Sequence, residues 1–192
     1  MEAFLTSTGV VAIAEIGDKT QLLALVLAAR FGKPLSILAG ILAATLANHA
    51  LAAWAGSLAA AFLDARVMAW VLAVSFLAMS VWTLIPDKLE EGEAQPRVSS
   101  TGAFVATAIS FFLVEMGDKT QIATIALGAR YHDVVAVAAG TTLGMMLANA
   151  PAVLLGEAAL KIAPLRLVRM AAAALFAVLG VIALWSALAL GQ

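Results

Sequence analysis

The sequence predicts an all-α membrane protein with six transmembrane helices, arranged as two inverted three-helix repeats. Of its 192 residues, 64% are hydrophobic and only 12% are charged, and the mean hydropathy is +1.03. A soluble domain of this length needs more polar surface than that to cover itself. The apolar residues also come in blocks long enough to cross a bilayer, and one sequence unit occurs twice. These three observations together predict the fold class.

Apolar blocks of about 20 residues define the predicted helices. They cover residues 4–29, 35–61, 67–85, 103–129, 134–160 and 167–190. Turn residues or charges separate them at 30–34, 64–66, 130–133 and 161–166. Residues 86–100 are strongly polar and are predicted to be a flexible linker between the halves. The chain therefore divides into a first repeat at 1–85, the linker at 86–100 and a second repeat at 101–192.

Two stretches of the chain match without a gap at an offset of 100 residues. Residues 15–30 read EIGDKTQLLALVLAAR, residues 115–130 read EMGDKTQIATIALGAR, and nine of the sixteen positions are identical. Two apolar helices can share Leu and Ala by chance, but a shared Gly-Asp-Lys-Thr-Gln run indicates a duplication. Because each unit holds three helices, an odd number, the second unit must enter the membrane from the opposite side.

The basic residues of the loops predict an orientation in the membrane. Apart from Lys19 and Lys119, seven of them lie in or beside the first, third and fifth loops, and two lie on the other side. The seven are Arg30, Lys33, Lys88, Arg97, Lys161, Arg166 and Arg169, and the two are Arg66 and Arg130. By the positive-inside rule, this bias places both termini on the non-cytoplasmic side.

Charged residues occur in the middle of two predicted spans. Glu15, Asp18 and Lys19 lie in the first span, and the second repeat carries the same residues 100 positions later. Each charge costs about 2.5–3.5 kcal/mol inside a bilayer, so their presence indicates a function. On a continuous helix, Glu15 and Asp18 would share one face. Gly17 between them allows either the close approach of a neighbouring backbone or an unwinding of the helix.

These residues predict an oxygen-rich site for a divalent cation near the membrane midplane. The predicted ligands are the carboxylates of Glu15, Asp18, Glu115 and Asp118 and the neutral oxygens of Thr20, Thr120, Gln21 and Gln121. The chain has no Cys, which excludes thiolate ligands. Four carboxylates with Lys19 and Lys119 carry a net charge of −2, which one divalent ion or two protons would neutralise. A buried site that must be neutral in both states is suited to cation/proton exchange.

A structural interpretation of the same residues is weighed against this one. Lys19 lies four residues after Glu15, so the motif could form a neutral ion pair that only locks helix packing. That interpretation leaves Asp18 unpaired and does not explain the duplication. Asn48, His49 and Asn149 also lie within spans, and they are predicted to form hydrogen bonds between helices rather than to bind a metal.

The pattern E-x-G-D-[KR]-[TS], present twice in a small six-span chain, resembles the Ca²⁺:cation antiporter-2 family (uncharacterised protein family 0016). Both copies are intact, at residues 15–20 and 115–120. The resemblance implies a secondary transporter that exports Mn²⁺, with Ca²⁺ as an alternative cargo, in exchange for protons. It implies that the four acidic residues form the cation site and that no prosthetic group is needed. The short linker resembles that of bacterial members, which implies a bacterial-type inner membrane.

Three other functions are compared with this one. An exporter of small organic cations or amino acids of the lysine-exporter type would not need four carboxylates. An intramembrane aspartyl protease would use Asp18 and Asp118, but that activity needs two unequal aspartates, and these lie in nearly identical sequences. A membrane scaffold without transport activity would not need the carboxylates at all. The expected partners are a divalent cation, protons and lipid, with a homodimer left open and nucleic acid excluded by the net charge of −1.

Overall fold

The computed structural model describes residues 1–86, 102–156 and 165–190, and these residues form eight α-helices and no β-strand. The helices are α1 (Glu2–Glu15), α2 (Lys19–Phe31), α3 (Pro34–Phe62), α4 (Ala65–Thr83), α5 (Ala103–Glu115), α6 (Lys119–Tyr131), α7 (Val134–Leu155) and α8 (Leu165–Ala189). Apart from Pro86, the predicted linker at 86–100 lies outside the described residues, as does the predicted helix end at 157–160.

Four of these helices are long and apolar enough to cross a bilayer by themselves. They are α3, α4, α7 and α8, with 29, 19, 22 and 25 residues. At 1.5 Å per residue, helices of this length reach across a hydrocarbon core of about 30 Å. They correspond to the helices predicted near 35–61, 67–85, 134–160 and 167–190, so these four predictions are confirmed over the described residues.

The two remaining predictions are wrong in one respect. Residues 4–29 and 103–129 were each expected to form one helix, but α1 and α2 are separate, and so are α5 and α6. The chain leaves the helix where Gly17 has a φ of +81° and Gly117 a φ of +80°. L-residues rarely adopt this left-handed conformation, whereas glycine does so at no steric cost. With 14 and 13 residues, α1 and α2 are each only about 20 Å long, too short to cross a bilayer alone.

The helices of one repeat pack mainly against those of the other. The long helices α3 and α7 contact each other, α1 packs on α7, α5 packs on α3, and α4 packs on α8. A Cβ atom on Gly40 of α3 would lie 2.7 Å from the Phe104 carbonyl oxygen, and one on Gly140 of α7 would lie 2.5 Å from that of Phe4. The small residues at these two positions therefore permit backbone contact between repeats.

The surface and interior have the polarity expected of a protein in a bilayer. All four tryptophans are exposed, together with many Leu, Val and Ile side chains on the long helices. Inside, Phe76 and Phe176, which hold the same position in the two repeats, stack with ring centroids 6.4 Å apart. The buried polar residues lie mainly on α1, α3, α5 and α7 and at the helix breaks. This distribution identifies an integral membrane protein whose polar centre is shielded from lipid.

Candidate metal-binding site

The break between α1 and α2 is stabilised by the residues of the motif itself. The Gly17 N–H donates to the side-chain oxygen of Gln21 at 2.9 Å, and the Asp18 N–H donates to the Glu15 carbonyl at 3.0 Å. Asp18 is the N-cap of α2 and accepts from the Thr20 N–H at 3.4 Å. The Thr20 hydroxyl donates to Glu15 Oε2 at 2.5 Å. Residues between Glu15 and Gln21 therefore provide acceptors for three backbone N–H groups at the break, those of Gly17, Asp18 and Thr20.

The break between α5 and α6 has nearly the same conformation. Asp118 has φ −78° and ψ 166°, compared with −80° and 167° for Asp18. The Gly117 N–H donates to Gln121 Oε1 at 2.7 Å, and the Thr120 hydroxyl donates to Glu115 Oε2 at 3.0 Å. In each copy, the break places a glutamate at the end of one helix and an aspartate at the start of the next. The expectation that the two carboxylates share one continuous helix face is therefore wrong.

The two breaks bring acidic residues of both repeats together. Glu15, Glu115 and Asp118 each offer one oxygen, and these three oxygens lie within 4.8 Å of one another. The exposed fractions of the three residues are 0%, 0% and 4%. Two ligands of one divalent ion, each about 2.1–2.5 Å from it, are separated by about 3–5 Å. The spacing of these oxygens therefore suits a single bound cation.

Several oxygens of this group lack the hydrogen bonds that buried polar atoms normally make. Glu15 Oε1, Glu115 Oε1 and Asp118 Oδ2 have no hydrogen-bond partner among the described residues. A buried carboxylate oxygen without a partner is costly, so such atoms are rare unless they have a function. A cation or a proton would satisfy them. The donor set thus suits a hard divalent ion such as Mn²⁺ or Ca²⁺.

The two lysines connect the repeats. Lys119 Nζ lies 3.3 Å from Asp18 Oδ1, and Lys19 Nζ lies 3.9 Å from Asp118 Oδ1. The ion pair of Glu15 with Lys19 that was weighed from the sequence assumes a continuous helix turn, and the break at Gly17 interrupts that turn. These reciprocal ion pairs require both repeats, so they could not be inferred from one copy of the motif.

The glutamines join each break to a long helix. Gln21 Nε2 donates to the Ala148 carbonyl of α7 at 2.8 Å, and Gln121 Nε2 donates to Asn48 Oδ1 of α3 at 2.6 Å. The hydrogen bond predicted for Asn48 between helices is therefore confirmed. Asn149 instead donates to the Met145 carbonyl of its own helix at 3.1 Å, so the prediction for Asn149 is wrong.

His49 lies next to the acidic group. Its Nε2 is 3.8 Å from Glu115 Oε2, and both side chains are fully buried. Neither ring nitrogen has a hydrogen-bond partner among the described residues. The prediction that His49 forms a hydrogen bond between helices is therefore wrong. The sequence feature that singles out His49 is a histidine within a span, at a position where the second repeat has Asn149. The sequence does not show which copy of the motif His49 faces.

Comparison with known proteins identifies the family. A family profile described as "Divalent cation/proton antiporter GDT1" matches residues 3–91 and 103–190. A Vibrio cholerae protein named "Putative manganese exporter" is 54% identical over 177 residues, which cover 92% of this chain and 87% of that protein. GDT1-like protein 4 of Oryza sativa is 31% identical over 180 residues, which cover 81% of this chain and 63% of the rice protein. No solved structure matches significantly.

The chain belongs to the GDT1 family of divalent cation/proton antiporters. The family resemblance inferred from the twin motif is thereby confirmed. The chain is a transporter and not an enzyme, which rules out the protease alternative. The scaffold and lysine-exporter alternatives are likewise less well supported than cation/proton antiport.

Proposed function

We propose that this chain exports Mn²⁺ in exchange for protons, with Ca²⁺ as the alternative cargo, through a site formed by both copies of the motif. The observation that carries the proposal is the buried group of Glu15, Glu115 and Asp118, whose oxygens lie within 4.8 Å of one another. The name of the Vibrio cholerae relative, 54% identical, favours Mn²⁺ as the cargo.

Each site residue has a proposed role. Glu15, Glu115 and Asp118 bind the cation directly, and Asp18 joins them when its contact with Lys119 is exchanged for the ion. The hydroxyls of Thr20 and Thr120 orient the glutamates through the hydrogen bonds that they donate to them. Gln21 and Gln121 stabilise the helix breaks by accepting from the glycine N–H groups, and each amide oxygen has a second lone pair with which it could bind the cation. Lys19 and Lys119 balance the charge of the aspartates.

Charge balance explains why cation and protons exchange. The four carboxylates and two lysines sum to −2, and the carboxylates are almost completely buried. A net charge of −2 in a low-dielectric interior is costly. The site therefore changes its access from one side of the membrane to the other only when a divalent ion or two protons neutralise it. The carboxylates are at most 4% exposed in this structure, and this burial supports the need for neutralisation.

We propose six membrane crossings arranged as two inverted repeats, with α1 and α2 together forming one crossing and α5 and α6 together forming another. The reciprocal contacts of α1 with α7 and of α5 with α3 support this arrangement. Both termini lie on the non-cytoplasmic side of a bacterial-type inner membrane, as the basic loops indicate.

Cysteine labelling tests this orientation, because the native chain has no Cys. Single cysteines replace Glu2, Gly191 or Arg97, and intact cells are treated with a membrane-impermeant thiol reagent. We expect positions 2 and 191 to react and position 97 to be protected. The reverse pattern would contradict the proposed orientation.

The experiment that tests the function measures metal uptake into inverted membrane vesicles under an imposed pH gradient, with Mn²⁺, Ca²⁺ and Mg²⁺ compared. Because protons and metal compete for the same carboxylates, acidifying the cytoplasmic face should weaken the apparent metal affinity and not only the maximal rate. The membrane potential is clamped so that only the chemical gradient of protons changes. An affinity that stays flat from about pH 5.5 to about pH 8, with transport intact, would indicate a uniporter or channel instead.

A further inference from the structure

His49 of α3 is a completely buried imidazole at the edge of the acidic group. Its Nε2 faces Glu115 Oε2 at 3.8 Å, a distance too long for a hydrogen bond. Both ring nitrogens lack a hydrogen-bond partner among the described residues, and so does Glu115 Oε1. A histidine that only fills the core would be expected to donate its ring N–H to a carbonyl or hydroxyl.

The separation of 3.8 Å is instead suitable for two ligands of one ion. Ligands at about 2.1–2.5 Å from a shared cation lie about 3–5 Å apart. His49 contacts Glu115, one of the three acidic residues whose oxygens lie within 4.8 Å of one another, and His49 itself lies outside that set. His49 comes from the first repeat, whereas Glu115 belongs to the second. An ion between these residues would give a partner to a ring nitrogen that has none among the described residues. It would share Glu115 Oε2 with the Thr120 hydroxyl, which donates to that oxygen at 3.0 Å.

We propose that His49 is a nitrogen ligand of the transported cation and that it makes the site prefer Mn²⁺ and other first-row transition ions over Ca²⁺ and Mg²⁺. This inference rests on the proposed function of the acidic group as the transport site. Imidazole nitrogen binds divalent transition ions, whereas Ca²⁺ and Mg²⁺ select oxygen. A purely carboxylate site does not make this distinction, so the imidazole provides the discrimination between Mn²⁺ and Ca²⁺.

The second repeat supplies a matched substitution. Asn149 holds the position equivalent to His49, 100 residues later, and is equally buried on α7. His49→Asn therefore places at position 49 a side chain that the fold already accepts at the corresponding place. It replaces a nitrogen ligand by an amide, whose oxygen is a hard ligand.

The direct test is electron spin-echo spectroscopy of Mn²⁺ bound to the purified full-length chain in detergent, with ¹⁵N-labelled histidine. Directly bound imidazole nitrogen modulates the Mn²⁺ echo. The chain has only two histidines, and the other, His132, is an exposed residue at the C-terminal end of α6. We expect a ¹⁵N coupling in the wild type and in His132→Asn, and its loss in His49→Asn.

A transport measurement accompanies the spectroscopy. In vesicles, His49→Asn should reduce the ratio of apparent Mn²⁺ affinity to Ca²⁺ affinity by at least about tenfold, a typical effect of perturbing the surroundings of a bound metal. His132→Asn should leave the ratio unchanged. A ratio that does not move in His49→Asn would overturn the inference.

The outcomes separate this inference from the proposed function. Wild-type protein that transports Mn²⁺ but shows no histidine coupling overturns the role of His49 and leaves the carboxylate site in place. Wild-type protein that neither binds nor transports Mn²⁺ overturns both. The spectra of the wild type and of His132→Asn together decide the question even if His49→Asn does not fold.

Discussion

The two copies of the motif have the same backbone and different surroundings. Gly17 and Gly117 differ by one degree in φ, and in both copies the threonine donates to the glutamate and the glutamine oxygen accepts from the glycine N–H. In contrast, a Cβ on Gly17 would lie 2.8 Å from the Leu165 side chain of α8, whereas none of the described atoms lies within 4 Å of one on Gly117.

The side chains that face the copies differ as well. Glu115 faces the imidazole of His49, while the position equivalent to His49 in the second repeat is Asn149, which bonds to its own helix. Lys119 is closer to its aspartate and more buried than Lys19, at 3.3 Å and 5% exposed against 3.9 Å and 18%. The motif therefore forms the ligand-bearing turn in both copies, whereas α3, α7 and α8 determine which side chains surround each turn.

The largest effect is expected from the glutamates, where the copies should be equivalent. Glu15→Gln and Glu115→Gln each remove one charge from a site balanced at −2, so each should reduce Mn²⁺ transport at least about 100-fold with normal expression. Uptake into inverted vesicles measures this. Glu2→Gln on the same helix as Glu15 is the control, because Glu2 is exposed and outside the site. Normal transport by both site variants would mean that these carboxylates only pack.

Substituting the two lysines should show that the two copies differ in how much their ion pairs stabilise the protein. Lys119→Gln removes a cation 3.3 Å from the buried Asp18 and should destabilise the protein by about 3 kcal/mol. Lys19→Gln should cost less, because its pair is longer and Lys19 is partly exposed. Thermal unfolding in detergent measures both. Asp18→Asn combined with Lys119→Gln should recover most of the stability but not transport, and equal losses for the two lysine variants would remove this difference between the copies.

Alanine substitutions at Gly17 and Gly117 should separate the cost of a strained backbone from the cost of a steric clash. Gly117→Ala should cost about 1–2 kcal/mol, because alanine at positive φ is strained. Gly17→Ala should cost slightly more, since its Cβ would also lie 2.8 Å from a methyl group at the end of the Leu165 side chain, which must move. Adding Leu165→Ala should relieve the excess at position 17 and give no relief at position 117. If the two alanine variants melt at the same temperature, the contact with Leu165 does not affect the stability of the Gly17 variant.

The smallest effect is expected at the hydrogen bonds that the two glutamines donate. The acceptor is a side chain in one copy and a backbone carbonyl in the other. Gln121 donates to the Asn48 side chain, so Asn48→Ala should cost about 0.6–1 kcal/mol, as is usual for hydrogen bonds between membrane helices. Gln21 donates to the Ala148 backbone carbonyl, so Ala148→Ser, which leaves that carbonyl in place, serves as the comparison. The expected result is a lower melting temperature for Asn48→Ala alone. Equal melting temperatures would contradict it.

The sequence predicts the long helices and the acidic residues because these depend on local composition. Apolar length identifies α3, α4, α7 and α8, and the cost of charge in a span identifies Glu15 and Asp18 as functional candidates. A glycine in a span is compatible with both a close helix contact and a break, so the sequence could not decide between them at Gly17. The approach of Lys119 to Asp18 and of His49 to Glu115 depends on how the repeats pack, which no local pattern encodes.

The stacking of Phe76 on Phe176 shows what a single chain with two copies permits. Residues in equivalent positions that touch each other lie where the two units meet. If two separate, identical units met in this way, every mutation would appear on both sides at once. Joining the copies in one gene removes that constraint, so each can mutate alone. A histidine at position 49 and an asparagine at the equivalent position 149 are a combination that identical subunits could never encode.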